Sequence, residues 1–517
     1  MKVVFILFIF LGLSPLFCSE KPNIIVIYTD DQGFGDVSAF NPNAKFQTPN
    51  MDLLAKEGVS FTHGHSASSV CTPSRYGLLT GRYPWRTRMK VGVMGADVKC
   101  LIPDDRLTIA SMLKAEGYHT AMVGKWHLGM DMPGTRKHRD WSQPIKDMPL
   151  DKGFDYFFGV PASLNFGVLA WFEGRYAKVP PTLLTSKKKN DRQVYRIMPP
   201  YYETEERVAQ DTHINLTKRC FEVAPDFIDN QCLTRFTDKA IDWMKTKVQD
   251  AKKGKPFFLY LPYTSPHYPV CPLPRFRGQG ECGAYGEFVI ETDEHIGRIL
   301  SFLKEQNIDK NTLIVFTSDN GPERLWESRI PTYGHDSKAG FREGKTSVYE
   351  GGHRVPFIVR WPEGIKQAGR KWDAAVGQID LLATFADIIG VKIEDNQAED
   401  SQSFLPVLQN KTYERLPLIT RADLSKDDRY AITEGDWKLI MQSPTKGLEL
   451  YNLKDDPAES KNVVKEHAQL AKELTQKISK IVLSGRTTAG KAQKNDSGYW
   501  SDLRWMTKAE FEEKHGK

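Results

Sequence analysis

Asn23-Ile24-Ile25-Val26-Ile27-Tyr28-Thr29-Asp30-Asp31-Gln32-Gly33-Phe34-Gly35 is a short apolar run, rich in β-branched residues, that stops at two carboxylates. A continuous apolar run of this length predicts a strand buried on both faces, followed by a polar loop. The pattern recurs. His119–Val123 runs into Gly124-Lys125-Trp126-His127, Pro256–Leu261 precedes Ser265-Pro266-His267, and Thr312–Thr317 ends in Ser318-Asp319-Asn320-Gly321. Pro356–Trp361 is a further strand. Between them, Thr48–Gly58, Leu107–Glu116, Phe236–Val248 and Ala284–Leu303 read as helices. Strands alternating with helices imply an α/β domain with a mostly parallel sheet. In open α/β sheets ligands bind at the carboxyl ends of the strands. That loops are polar explains each of the four clusters singly, but explains four together poorly.

Beyond Ile389-Gly390 the character changes. Gly435–Ile440 and Leu448–Leu453 read as strands of a small antiparallel sheet, and Val463–Val482 as an amphipathic helix. The expected division is 1–19 signal peptide, 20–405 catalytic domain, and 406–517 C-terminal subdomain and tail. The signal reading rests on Lys2 followed by the apolar Val3–Leu13, which is too short to span a bilayer. Cys18 is a weak lipidation site, because the bulky Phe17 precedes it. No other segment is apolar enough for a membrane span, so the expected protein is exported: periplasmic or extracellular, or lysosomal or secretory in a eukaryote.

A chain of 517 residues with 40% hydrophobic and 26% charged residues has the composition of an ordinary globular protein. A net charge of +6 is too small to indicate nucleic-acid binding, and the run Lys187-Lys188-Lys189 reads as a solvated face. In an oxidising compartment Cys220–Cys232 and Cys271–Cys282 are the natural local pairs, with Cys100 left over. Asn215, Asn410 and Asn495 head glycosylation sequons, meaningful only in a eukaryotic secretory pathway.

Cys71-Thr72-Pro73-Ser74-Arg75, followed by Leu79-Thr80-Gly81-Arg82, resembles the maturation signature of type I sulfatases. Alone the five residues are a weak signal; the strand-end clusters, in the expected order, supply the rest of the site. The resemblance covers Lys21 to about Val464, including Glu449–Glu459. It implies an alkaline-phosphatase-like α/β fold: a large mixed sheet flanked by helices, with a smaller C-terminal subdomain of antiparallel sheet plus helix. It also implies oxidation of Cys71 to formylglycine by a maturation enzyme, which makes that enzyme a partner.

By the same resemblance, Asp30, Asp31, Asp319 and Asn320, with residue 71, hold one divalent cation, Ca2+ in preference to Mg2+. Three carboxylates and a carboxamide are hard oxygen ligands and do not suit zinc. Arg75 steadies the converted residue. Lys125 and Lys345 bind sulfate and His127 takes a proton from the sulfated diol; either His267 or Lys345 protonates the leaving alcohol, His267 being favoured because an ordinary pKa near neutral suits a general acid. The diol's second hydroxyl gives sulfate an exit that a serine ester lacks.

The loops around Gly159–Phe166, Gly334-His335-Asp336 and Phe341–Lys345 resemble those of sulfatases acting on sulfated glycans, some of which remove the 6-sulfate of galactose or N-acetylgalactosamine. Trp171, Arg175, His335 and Arg342 are the candidate sugar contacts, and serve equally as packed or solvated loop residues. Two alternatives share these motifs: a formylglycine-dependent phosphonate monoester hydrolase or phosphodiesterase, and a non-catalytic glycan-binding protein.

Overall fold

The computed structural model describes residues 21–135, 138–186, 204–206, 220–422 and 429–515. The signal segment, Cys18, Lys187–Lys189, Asn215 and the side chain of Cys220 lie outside them. The main sheet contains β1 (Asn23–Asp30), β2 (Val59–Phe61), β3 (His119–Lys125), β4 (Tyr156–Val160), β5 (Phe172–Glu173), β6 (Tyr176–Ala177), β7 (Phe257–Pro266), β8 (Thr312–Ser318), β9 (Phe357–Arg360) and β10 (Arg370–Trp372). Their order is β6-β5-β4-β3-β7-β1-β8-β9-β2-β10. The centre, β4-β3-β7-β1-β8, is parallel, whereas β9 is antiparallel to both β8 and β2. The sheet is therefore mixed.

The helices that flank it are α1 (Pro49–Glu57), α2 (Cys71–Thr80), α3 (Ile109–Ala115), α4 (Cys232–Lys245), α5 (Gly283–Glu305), the single turn α6 (Glu350–His353) and α7 (Leu381–Ile389), whereas α8 (Ala468–Ser484) lies against the C-terminal sheet. Side chains of β1 alternate between two cores, as the period of two requires. Ile25 and Ile27 pack with residues of α1, α4 and α5, whereas Ile24, Val26 and Tyr28 pack with those of α2, α3 and α7. This explains why the run is apolar without a break. Because β1 has β7 and β8 as parallel neighbours, Asp30, His267 and Asp319 emerge side by side at one end of the sheet.

The C-terminal region builds an antiparallel sheet of β11 (Leu418–Arg421), β12 (Tyr430–Glu434), β13 (Trp437–Ile440) and β14 (Glu449–Asn452), in that order. Its apolar side packs against α8 through Leu439, Leu450, Leu474 and Ile478. α8 starts at Ala468, later than Val463, because residues 464–467 form a turn.

The Cys271–Cys282 bridge is not made. Cys282 caps the start of α5 and carries a buried thiol, pushed up to about 12 chiefly by burial. Cys100 is likewise a buried thiol. The proposed Cys220–Cys232 pair involves a side chain outside the described residues.

Candidate active site

Cys71 is the first residue of α2, preceded by the extended Val70. Pro73 fits the first turn, where a missing N–H breaks no helical hydrogen bond. Residues four apart share a helix face, so the C-x-P-x-R spacing sets Arg75 on the same face as Cys71. Its buried guanidinium donates from Nε and Nη2 to Asp319 Oδ2 (3.1 and 2.8 Å) and from Nη1 to the Lys125 carbonyl (3.0 Å). Arg75 thereby ties α2 to the ends of β8 and β3.

Asp31 adopts the left-handed region at φ 64°, a conformation tolerated where surrounding structure holds it. Its N–H donates to Asp319 Oδ1 (3.1 Å), and its Oδ1 accepts from Asn320 Nδ2 (2.7 Å). Lys345 Nζ lies 2.5 Å from Asp31 Oδ1 and 3.5 Å from Cys71 Sγ, and Lys125 Nζ lies 2.5 Å from Asp30 Oδ2. His267 Nδ1 donates to the Tyr268 carbonyl, and its Nε2 is 3.6 Å from Asp31 Oδ2. One ligand atom from each of Asp30, Asp31, Cys71 and His267 falls within 4.8 Å of the others.

Three buried oxygens in this cluster, Asp30 Oδ1, Asp31 Oδ2 and Asn320 Oδ1, have no hydrogen-bond partner. Buried polar atoms are rarely left unpaired in proteins, and three hard oxygens together fit a divalent cation. Burial raises Asp30, but Lys125, His267 and Arg75 outweigh it and hold the carboxyl below its ordinary range. Asp319 is raised, by burial first and Asp30 next.

His127 is also left-handed, at φ 59°. Gly124, just upstream, has φ 137°, and a Cβ there would stand 2.0 Å from the Pro262 carbonyl oxygen, so only glycine lets β3 approach β7 this closely. His127 Nε2 donates to the Met94 carbonyl (3.0 Å), leaving Nδ1 bare and unpartnered. Burial first, then the charges of Lys125 and Arg75, hold the imidazole well below its usual range. A neutral ring with a bare nitrogen is a proton acceptor. The Cys71 thiol is pushed up to about 11, mainly by burial. Unmodified, it is protonated at neutral pH and a weak nucleophile.

The structure thus brings together Asp30, Asp31, Cys71, Arg75, Lys125, His267, Asp319, Asn320 and Lys345, with His127 on the strand end beside Lys125. The four candidate sugar contacts are engaged elsewhere. Trp171 is fully buried against Phe227, Phe158 and Phe236, with the Arg235 guanidinium over its ring. Arg175 pairs with Asp151. His335 Nε2 bonds Asp36 Oδ1 (2.7 Å). Arg342 lies over Tyr349 and donates to the Glu459 carbonyl (2.8 Å). No hydrogen bond or ion pair joins any of these four to the Cys71 cluster.

Sequence reading missed the Met94 carbonyl that sets the His127 tautomer. It also missed Phe166, whose ring meets that of His127 edge-on at 4.8 Å. A third omission is Gln378, which accepts from Tyr28 Oη (2.7 Å) and donates to the Ser318 carbonyl (2.5 Å) behind Asp319. A backbone carbonyl carries no sequence signal. Phe166 had one, since it closes the quoted loop at Gly159.

A parallel-centred α/β sheet with hard oxygens, lysines and a helix-initiating cysteine at its carboxyl end defines a sulfatase-type hydrolase site. The family model for sulfatases matches residues 22–391, and that for the C-terminal region of N-sulphoglucosamine sulphohydrolase matches residues 341–484. N-acetylgalactosamine-6-O-sulfatase of Bacteroides thetaiotaomicron is 33% identical over 498 residues, 90% of this chain and 93% of the relative. Human steryl-sulfatase is 31% identical, over 80% and 74% of the two chains. Among solved structures, one from work on metabolism of multiple glycosaminoglycans by Bacteroides thetaiotaomicron superposes with a TM-score of 0.76 at 31% identity, covering 90% of this chain and 99% of that one. Ps i-CgsB in complex with k-i-k-neocarrahexaose gives 0.67 at 27% identity, covering 92% and 95%. The chain belongs to the sulfatase family and is a sulfuric ester hydrolase. Its buried acidic cluster is a candidate site for the metal ion that such enzymes use. No described helix is long and apolar enough to cross a membrane.

Proposed function

We propose that this sulfatase removes sulfate from a sulfated carbohydrate, through a formylglycine made from Cys71 and with one calcium ion per chain. The observation that carries the reading is the set of three unpartnered buried oxygens beside Cys71, flanked by Lys125 and Lys345. Asp30, Asp31, Asp319 and Asn320 would hold the cation, and so many protein oxygens favour Ca2+ over Mg2+, which keeps several waters. When bound, the ion supplies Lewis-acid polarisation at sulfate. The converted residue supplies a hydrated aldehyde, one hydroxyl to attack sulfur and one to release sulfate. The protonated thiol of unconverted Cys71 is a reason for the conversion.

The remaining work falls to the chain's own side chains. Lys125 and Lys345 turn from their aspartates toward sulfate oxygens, helped by the partial positive charge at the start of α2. His267, whose Nδ1 donates to the Tyr268 carbonyl, protonates the leaving oxygen from Nε2 when doubly protonated, a form that burial, the larger effect, opposes and that Asp31 and Asp30 favour. His127, bare at Nδ1, takes the proton of the second hydroxyl.

Family membership leaves the substrate open, since one relative is named for a sugar and another for a sterol. The carbohydrate reading, with 6-sulfated galactose or N-acetylgalactosamine first, is supported by the greater identity and coverage of the sugar-named relative. The carrahexaose complex of a structural neighbour supports it further. A maturation enzyme, export through the 1–19 segment, and a C-terminal unit from residue 406 complete the proposal. The test is the peptide mass around residue 71, with sulfate release from a panel of sulfated sugars and a steryl sulfate. A loss of about 18 Da relative to cysteine, with sulfate released from a 6-sulfated sugar, is expected. Conversion with only a phosphonate or phosphodiester cleaved, or only the steryl ester, would overturn the substrate reading.

A further inference from the structure

The turn α6 touches three segments that carry the active site. The Gly352 carbonyl accepts from the N–H of Gly321 (2.9 Å), the residue after Asn320, and a Cβ on Gly321 would stand 1.8 Å from the Gly351 oxygen. The His353 carbonyl accepts from Ser66 N (2.9 Å), on the approach to Cys71. Upstream of α6, Thr346, next to Lys345, donates its N–H to the Ser69 carbonyl (2.9 Å). A shift of α6 therefore moves the backbone beside Asn320, Cys71 and Lys345 together.

What fixes α6 comes from the C-terminal region. Glu459 Oε2 accepts from the Glu350 N–H (2.6 Å), capping the turn. Lys438, on β13, places Nζ 2.9 Å from Glu350 Oε1 and 2.8 Å from Glu459 Oε1. All three side chains are fully buried. Two adjacent buried carboxylates remain ionised only with a cation between them. Without Lys438, Glu350 would keep Arg354 (3.3 Å), whereas Glu459, already raised to about 7 by burial first, would be left without a base and take a proton, and the cap weakens.

We propose that Lys438 is a positioning residue for sulfate cleavage, acting from the C-terminal sheet through α6 on the backbone that carries Asn320, Lys345 and Cys71. This rests on the Cys71 site read above. It assigns the C-terminal region a part in the catalytic geometry, beyond covering the core.

The full-length, converted enzyme tests it. Lys438→Met alone leaves two buried carboxylates and can lose the fold. Lys438→Met/Glu459→Gln removes one charge of each sign and keeps the Glu350–Arg354 pair (3.3 Å). In the double variant kcat is expected to fall about ten- to hundredfold, the cost of a small misplacement, with KM within about threefold and circular dichroism unchanged. Lys438→Arg, which keeps the charge, should recover part of that loss. Leu439→Ala, a core change on the same strand that packs toward α8, is the control for general loosening. A folded double variant with wild-type kcat overturns the proposal. So does an equal loss of kcat in Leu439→Ala at matched melting temperature. Converted wild-type enzyme that releases no sulfate overturns the site reading, and this proposal with it.

Discussion

Two buried clusters in this molecule mix acids, bases and histidine, and they differ in which atoms are left over. Around Cys71, Asp30, Asp31 and Asp319 face Arg75, Lys125 and Lys345, so the formal charges balance. Around Glu350, two carboxylates face Lys438 and Arg354, and the charges balance again. In the first cluster three hard oxygens have no hydrogen-bond partner, and the Lys345 side chain is 13% exposed, so a lysine can exchange its carboxylate for an anion from solvent. In the second, each Glu350 oxygen has a basic partner, Lys438 and Glu350 are fully buried, and the atoms without a hydrogen-bond partner are His63 Nε2, His65 Nε2 and Glu459 Oε1, the last held 2.8 Å from Lys438 Nζ. His63, His65 and Glu350 lie close enough to suggest a second metal site, but their neighbours make the cluster a lock. Residue types alone do not separate an ion site from a structural network. The leftover atoms, and access to them, do.

The widest separation between the clusters should come from Cys71→Ala, which removes the nucleophile of the first. Sulfate release is expected to fall by about 10⁴ or more, with little change in melting temperature. Substantial residual turnover would place the chemistry elsewhere and end the contrast. Next is Glu350→Ala, which leaves Lys438 and Arg354 buried with one carboxylate fewer. Breaking a buried pair in this way costs about 3–5 kcal/mol, read as a lower urea midpoint. A midpoint within error of wild type would mean that the second cluster is not a lock.

Asp31→Asn should have a smaller effect, an activity loss of about 10–100-fold with a raised calcium half-saturation point. In wild type, calcium at about 100 times its dissociation constant should add about 2.7 kcal/mol of stability over the chelated enzyme. The same increment in His63→Asn would assign the calcium effect to the first cluster. Its loss in that variant would assign it to the second.

Much of the first cluster was legible because its residues close predictable strands. The apolar run to Tyr28, and its counterparts before Lys125, His267 and Asp319, could be read as strands. A parallel sheet centre then brings their ends together. Cys71 and Arg75 were legible as a spacing, although the helix that makes it meaningful was not foreseen. The sugar contacts were not legible. A tryptophan near a glycan-type loop reads the same whether its ring faces a sugar or, like Trp171, packs between Phe158, Phe227 and Phe236. The second cluster was silent for another reason. Glu350, Lys438 and Glu459 are far apart in sequence, each in a segment that reads as an ordinary turn or strand, and only tertiary packing joins them. The antiparallel attachment of β9 was equally out of reach, since strand direction depends on a connection that carries no local signal.

The smallest expected effect concerns acid. His63 is held at about 3, against an ordinary 6.5, by burial first and by the Arg354 charge next. Between those values the unfolded chain binds a proton at this position and the folded chain does not. Stability from this residue is therefore complete above pH 6.5 and is lost as the pH falls toward 3. One proton corresponds to about 1.4 kcal/mol per pH unit. His63→Asn keeps a donor near the Asp373 carbonyl, which His63 now engages, and has no titrating ring. The charge of His63 also lowers the buried His65 and His353, so the difference reports His63 together with its effect on these two neighbours. From pH 6.5 to 4.5, measured by urea unfolding, wild type should lose stability faster than the variant, with the curves parallel above pH 7. Parallel curves throughout would mean that His63 is reached by water, and the sealed character that sets the second cluster apart from the first would be gone.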